Sequence, residues 1–322
     1  MGLEMNRNIR THNFGFPRIG AKRELKRALE STWARRITKT QLVETAKAIR
    51  AEYWRAQRAV GIDLIPSNDF SLYDQMLDTI ALVGAVPEQF HWRGSKVKLA
   101  TYFAMARSVT GNGIANADCS HGGPATALEM TKWFDANYHY VVPELNAEQT
   151  FQMTCTKPFD EFAEALALSI RTMPVIVGPL TFLLLANTRG QTFDRLSLLP
   201  KLLPVYAEVL QRLQKQGAEW VQLDEPALCL DQTPEQRVAF TTAYVQLREN
   251  VPGLKILLAT YLGELHDNLT TAASCRWTRS TSTLCVRRTN WIACSPSCRR
   301  QCSFRSVSWM VATSGGTIFR VR

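Results

Sequence analysis

From Thr271 to Arg322 the chain has no aspartate, no glutamate and no lysine, yet it carries nine arginines (276, 279, 287, 288, 299, 300, 305, 320 and 322). The formal charge of +10 comes from 38 basic and 28 acidic residues, so the rest of the chain holds 29 basic against 28 acidic ones. A near-neutral body excludes a broad basic face for nucleic acid, and the basicity belongs to the tail. Cysteine is also scarce outside that tail: Cys119, Cys155 and Cys229 stand far apart, which excludes a disulfide framework and fits a reduced, cytoplasmic setting. No apolar run is long enough for a bilayer, which needs roughly 20 residues. The longest, Pro174 to Ala186, is broken by Gly178, Pro179 and Thr181. Met1 to Thr11 is polar and has no signal-peptide h-region, and no strand is followed by a dinucleotide glycine fingerprint.

What remains is a globular composition, 46% hydrophobic and 20% charged, over 322 residues. That length buries one large core or two ordinary ones. The apolar periodicity alternates between strand and helix. Strands are expected over Asn13–Gly20, Ile62–Pro66, Tyr138–Val142, Met173–Val177, Trp220–Leu223 and Leu254–Thr260. Helices are expected over Lys22–Arg35, from Thr38 to Gly61, and over Leu72–Val83, Leu99–Arg107, Ala125–Asp135, Phe159–Leu168, Leu196–Gln216 and Thr233–Glu249. Thr38 with Gln41 forms a capping box. Such alternation predicts an α/β fold with a parallel sheet, and the short strands favour a (β/α)8 barrel. Six strands leave that barrel two short.

Two stretches suggest chemistry. Ala218–Leu228 runs from a buried strand into Asp224, Glu225 and Pro226, and in parallel α/β folds ligands gather at such strand ends. The same two carboxylates also suit a cap or a loop brace. Lys22, Arg23 and Lys26 crowd the first turn of a helix, the wrong end for cations given the helix dipole. They form either a solvated basic turn or an anion site. Cys119 and His121, in the Gly-, Asn- and Ala-rich loop from Thr110 to Pro124, lack a third metal ligand at suitable spacing.

The tail breaks the pattern. Cys294, Cys298 and Cys302 are separated by three residues each, which does not match the tighter paired spacings of structural zinc sites. A frameshift accounts for the segment better. With GC-rich codons, a one-base slip turns Cys275–Arg288 into L-P-V-D-A-V-H-I-D-L-V-R-A-P and Trp309–Ser314 into V-D-G-R-N-I. Both are strand-like, and two is the number the barrel lacks. The chain thus divides into a disordered segment 1–12, a barrel 13–273 and an irregular, non-native tail 274–322.

Nine stretches in order carry a resemblance. They are F-G-F-P-R-I-G at 14–20, R-E-L-K at 23–26, G-I-D-L-I-P at 61–66, D-F-S-L-Y-D at 69–74, E-M-T-K-W-F at 129–134, N-Y-H-Y-V-V-P-E at 137–144, G-P-L-T-F-L at 178–183, D-R-L-S-L-L at 194–199 and Q-L-D-E-P-A-L at 222–228. Over about residues 13–273 the chain resembles the N-terminal half of cobalamin-independent methionine synthase. The resemblance implies an incomplete (β/α)8 barrel and a part in methyl transfer from 5-methyltetrahydrofolate triglutamate to homocysteine. It implies triglutamate binding through Arg23, Glu24, Leu25, Lys26 and Lys132, since Arg and Lys pair well with carboxylates. It also implies zinc, but only in a C-terminal barrel whose ligands this chain does not carry, and no cobalamin. Asp224 and Glu225 would be architectural. The loop Ser108–Gly122 departs from the family pattern. No nucleic-acid or membrane partner is implied. The alternatives are a non-catalytic folate-binding module and a dead gene fragment.

Overall fold

A computed structural model describes residues 11–94, 96–108, 126–274, 283–286, 310–312 and 318–320. Its centre is a five-stranded sheet of β1 (Ile65–Ser67), β5 (Thr172–Val177), β7 (Trp220–Asp224), β8 (Lys255–Thr260) and β9 (Thr283–Val286), in that order and parallel throughout. The order in space follows the order in sequence, so the sheet winds in one direction, unlike a doubly wound sheet, which reverses. Closure into a barrel is not seen among the described residues.

The sheet strands alternate between two packing environments, as period-2 geometry dictates. Val221, Leu223, Ile256 and Leu258 join the main core. That core also takes residues of α7 (Leu199–Lys215) and α8 (Pro234–Asn250). Met173, Trp220, Leu257 and Ala259 form a second cluster, against which Phe14 and Leu64 pack. Ile65 joins Trp54 of α2 (Lys39–Ala59) and Ala165 of α5 (Lys157–Ala167) in a third. The remaining principal helices are α1 (Glu24–Trp33), α3 (Gln75–Val83), α4 (Leu99–Ala106), α6 (Pro179–Leu184) and α9 (Asn268–Ser274). Capping boxes open α2 at Thr38 and α8 at Thr233, because in each a hydroxyl and a glutamine three residues on satisfy orphan N–H groups.

Five expectations need correction. Asn13–Gly20 is not a strand: among the described residues it forms no bridge, the nearest being that of the adjacent His12 to Leu64, and Gly15 and Pro17 suit it to a side-chain-pinned loop. Ala125–Asp135 is not a helix: β2 (Met130–Lys132) pairs antiparallel with β3 (His139–Val141). T-K-W-F and Y-H-Y-V-V are β-branched and aromatic on both sides of D-A-N, which is hairpin chemistry. The Trp133 and Tyr140 rings meet edge-on at 5.3 Å. In consequence β3 does not lie in the main sheet as expected; the short pair β4 (Glu144–Leu145) and β6 (Asn187–Thr188) follows outside it too. The tail expected to be irregular contributes β9 to the sheet and a two-stranded pair, β10 (Met310–Ala312) with β11 (Ile318–Arg320). At the other end, within the segment expected to be disordered, Thr11 is fixed to Asp63 through its N–H at 2.7 Å.

Glu225 ties strand to helix. It accepts from the N–H groups of Leu180 (3.1 Å) and Thr181 (2.7 Å) in the first turn of α6 and from the Tyr244 hydroxyl (2.9 Å). Gly178 leaves the room for this, since a Cβ there would stand 2.2 Å from the carboxyl group. Gly178→Ala is expected to cost about 1–3 kcal/mol by overpacking. Thermal unfolding measures it; an unchanged midpoint would contradict the close approach.

Candidate functional site

The segment Asp69–Asp74, which follows β1, organises the site. The Asp69 carboxylate accepts from the Phe16 N–H at 2.8 Å. The Ser71 carbonyl accepts from Arg18 Nη1 at 2.7 Å. One end of the segment therefore holds the loop Asn13–Gly20, from which α1 departs. At the other end, the Tyr73 hydroxyl reaches Met130 Sδ at 3.4 Å. Asp74 accepts from the Tyr138 hydroxyl at 2.7 Å and the Val141 N–H at 3.1 Å, both in the β2–β3 hairpin. It also caps α3 through the Leu77 N–H at 2.9 Å. One short segment thus fixes both elements that carry the expected cations.

The five expected site residues fall on two elements. Arg23 is the N-cap of α1, in the left-handed region at φ 62°, and its side chain is exposed. Lys26 is exposed and lies 3.7 Å from Glu30 one turn on. Glu24 folds back onto the Lys22 N–H at 2.9 Å, and the N–H groups of Glu24 and Lys22 hold its carboxyl below the usual range. Leu25 is 1% exposed, belongs to the main core and donates its N–H to Ile19. Its side chain therefore packs the helix instead of facing solvent. Lys132 is exposed on β2, in register with His139. Sequence reading misses the residues that hold these groups in place: Arg18, Asp69, Asp74 and Tyr138. A signal exists for Asp74, which stands three residues before Leu77 at an N-cap position. Cys119, His121 and nearly all of the loop Ser108–Gly122 lie outside the described residues.

Behind the site runs a buried ionic chain. Lys157 lies 3.2 Å from Asp78 and 3.5 Å from Glu161, and donates to the Asn68 side chain at 2.8 Å. Arg50 approaches Glu161 at 3.6 Å and Glu164 at 2.6 Å. Asp78 in turn accepts from the Tyr102 hydroxyl at 2.6 Å, and Tyr102 accepts from the Tyr73 N–H at 3.2 Å. Burying charges this way is tolerated only when each is paired and hydrogen-bonded. The chain joins α2, α5, α3 and the Asp69–Asp74 segment.

At the strand ends, Asp224 accepts from Gln222 at 2.7 Å and from the Tyr261 hydroxyl at 3.1 Å. With the three donors of Glu225, this gives both carboxylates bracing duties. Burial pushes Asp224 and Glu225 each up to about 7, against their hydrogen bonds. Burial likewise lifts Asp74 to about 6. Among the described residues no group of three or more His, Cys, Asp or Glu is arranged to hold a metal ion, so these residues do not fit a zinc site. No described helix is long and apolar enough to cross a membrane.

These shifts carry a pH consequence. The folded values of Asp224 and Glu225 lie above the ordinary 3.8 and 4.5. The native state therefore keeps protons that the unfolded chain releases. The stability this provides is fully present below the ordinary values and is lost as pH rises through about 7. Glu225→Gln, which does not titrate, should gain stability relative to the parent chain between pH 4 and pH 8. Urea unfolding at both pH values checks this; a difference that does not change with pH would exclude Glu225 as a titrating group.

Comparison with known proteins agrees with the motifs. The family described as cobalamin-independent synthase, N-terminal domain, matches residues 10–285. A 5-methyltetrahydropteroyltriglutamate–homocysteine methyltransferase of Mesorhizobium japonicum is 53% identical over 268 residues, covering 81% of this chain and 34% of that protein. Proteins of the same name from Rhodopseudomonas palustris and Salinibacter ruber are 54% and 50% identical over 80% and 81% of this chain. The chain spans about a third of the length of these curated relatives. A solved structure of a putative vitamin-B12 independent methionine synthase from Listeria monocytogenes aligns over 86% of this chain and 78% of that one, at 12% identity and a TM-score of 0.49, too distant to fix the fold. The family match extends over most of the chain and takes in the pinned loop, the hairpin and the paired carboxylates, so this chain belongs to the cobalamin-independent methionine synthase family, matching its N-terminal domain.

Proposed function

We propose that residues 13–273 form the folate-polyglutamate-binding part of a cobalamin-independent methionine synthase, the enzyme that moves a methyl group from 5-methyltetrahydropteroyltriglutamate to homocysteine. The single observation behind this is the family match over residues 10–285, which takes in all of the cations, and relatives 53–54% identical over about four fifths of the chain bear that name. The arrangement of those cations supports it. Arg23 and Lys26 stand exposed at the start of α1, and Lys132 stands exposed on the hairpin. A triglutamate is a row of carboxylates, and helix N-termini with Arg and Lys suit such a ligand. Leu25 contributes by seating α1 in the core. Glu24 orders the turn before it.

In this reading β1, β5, β7 and β8 of the parallel, singly wound sheet belong to a (β/α)8 barrel, and residues 274–322, whose β9 takes the next place in that sheet, are a tail read out of frame. The gene sequence downstream of the Ala273 codon tests the latter. Homocysteine and zinc belong to a second barrel. Zinc there would hold the homocysteine sulfur as its thiolate, the attacking form. Among the described residues no cluster fits that metal, and with zinc and homocysteine assigned to the second barrel the isolated 322-residue chain is expected not to make methionine. A cytoplasmic setting follows from the same reading.

The second reading, a dead fragment without affinity, separates cleanly by titration. The chain should bind 5-methyltetrahydrofolate triglutamate more tightly than the monoglutamate. Lys132→Ala should weaken the triglutamate about tenfold, a charge-assisted contact being worth about 1.5 kcal/mol or more. It should leave the monoglutamate unchanged. Equal binding of both folates, or none, overturns the proposal.

A further inference from the structure

We infer that Asp74 is the positioning residue of the triglutamate site, holding the Met130–Val141 hairpin and with it Lys132 against the body of the fold. The inference rests on the folate reading above. Asp74 is 1% exposed, and both of its oxygens are engaged. A helix cap requires only the Leu77 N–H, 2.9 Å away. The two other donors, the Tyr138 hydroxyl at 2.7 Å and the Val141 N–H at 3.1 Å, come from the hairpin. No ion pair of Asp74 is found among the described residues, so dipoles hold this carboxylate, and they are spent on tertiary attachment.

The two hairpin donors bracket His139, whose partner across the ladder is Lys132. Fixing residues 138 and 141 therefore fixes the backbone directly opposite the lysine. Tyr73, next to Asp74, adds a contact to Met130 at the start of β2. Arg18, held by the neighbouring Ser71 carbonyl, brings its guanidinium 6.0 Å from the centre of the Tyr138 ring. Asp74 thus stands where the hairpin meets the helix it caps. An exposed lysine on a short two-stranded hairpin is otherwise poorly placed, because such hairpins are marginal in water. A ligand then has to order the hairpin at its own cost, and preorganisation removes that cost.

The test uses the full chain, Asp74→Asn, Lys132→Ala and the double variant. Each is titrated with mono- and triglutamate 5-methyltetrahydrofolate, and amide exchange is followed over residues 130–141. Asp74→Asn keeps one acceptor oxygen for the helix cap but turns an amide toward the Tyr138 hydroxyl and removes the charge that strengthens all three bonds. Exchange in the hairpin should rise while α2, α5 and α7 stay protected. Triglutamate affinity should fall about tenfold with the monoglutamate unchanged, and Lys132→Ala should add little when Asp74→Asn is already present, as coupled sites do. Tyr138→Phe, which removes one donor alone, should give a smaller loss and serves should Asp74→Asn fail to fold. Unchanged hairpin exchange, or penalties that simply multiply, overturns the role of Asp74. A loosened hairpin in a chain whose parent binds both folates alike overturns the folate reading instead, and the role with it.

Discussion

Buried carboxylates that accept backbone and hydroxyl hydrogen bonds hold this chain together where its regular elements do not. Asp69 fixes the loop before α1, Asp74 fixes the hairpin, and Glu225 fixes the start of α6. Each joins segments that no shared ladder holds together. The cost is desolvation, visible as carboxyl groups raised by burial. The return is geometry: a carboxylate has room for several donors, so one residue fixes two or three segments at once.

Much of this fold is legible in the sequence because its elements are long and periodic. The capping box at Thr38, the buried strands around Val177, Leu223 and Thr260, and the helices around Tyr206 and Tyr244 follow from local rules. The hairpin escapes those rules because Glu129–Asp135 has helix-like spacing. Its competing signal, aromatic and β-branched residues on both sides of a D-A-N turn, emerges only when both strands are read together. Asn13–Gly20 escapes them for another reason: F-G-F and R-I look extended, but the segment bends at Phe14 and turns at Arg18–Ile19, and its partners are a side chain and a carbonyl some fifty residues away. Sequence spacing does not reveal such partners.

The same limit applies to the site. Residue types and resemblance point to Arg23, Lys26 and Lys132, the cations of the proposed site. Of the groups that hold them, Asp69 and Asp74 stand in the D-F-S-L-Y-D stretch, and Arg18 and Tyr138 lie in the loop and the hairpin it grips. The role of that stretch emerges only when β1 places it between the loop and the hairpin. Leu25 differs from its neighbours in the R-E-L-K motif: its side chain is buried in the core, while Arg23 and Lys26 stand exposed.

The chain's own beginning bears on how anything approaches the sheet. Phe14 packs against the cluster of Met173, Trp220, Leu257 and Ala259, and its ring meets Tyr261 edge-on at 5.7 Å. That side of the strands is therefore covered by the chain itself, with an aromatic stopper where bare sheet would otherwise stand.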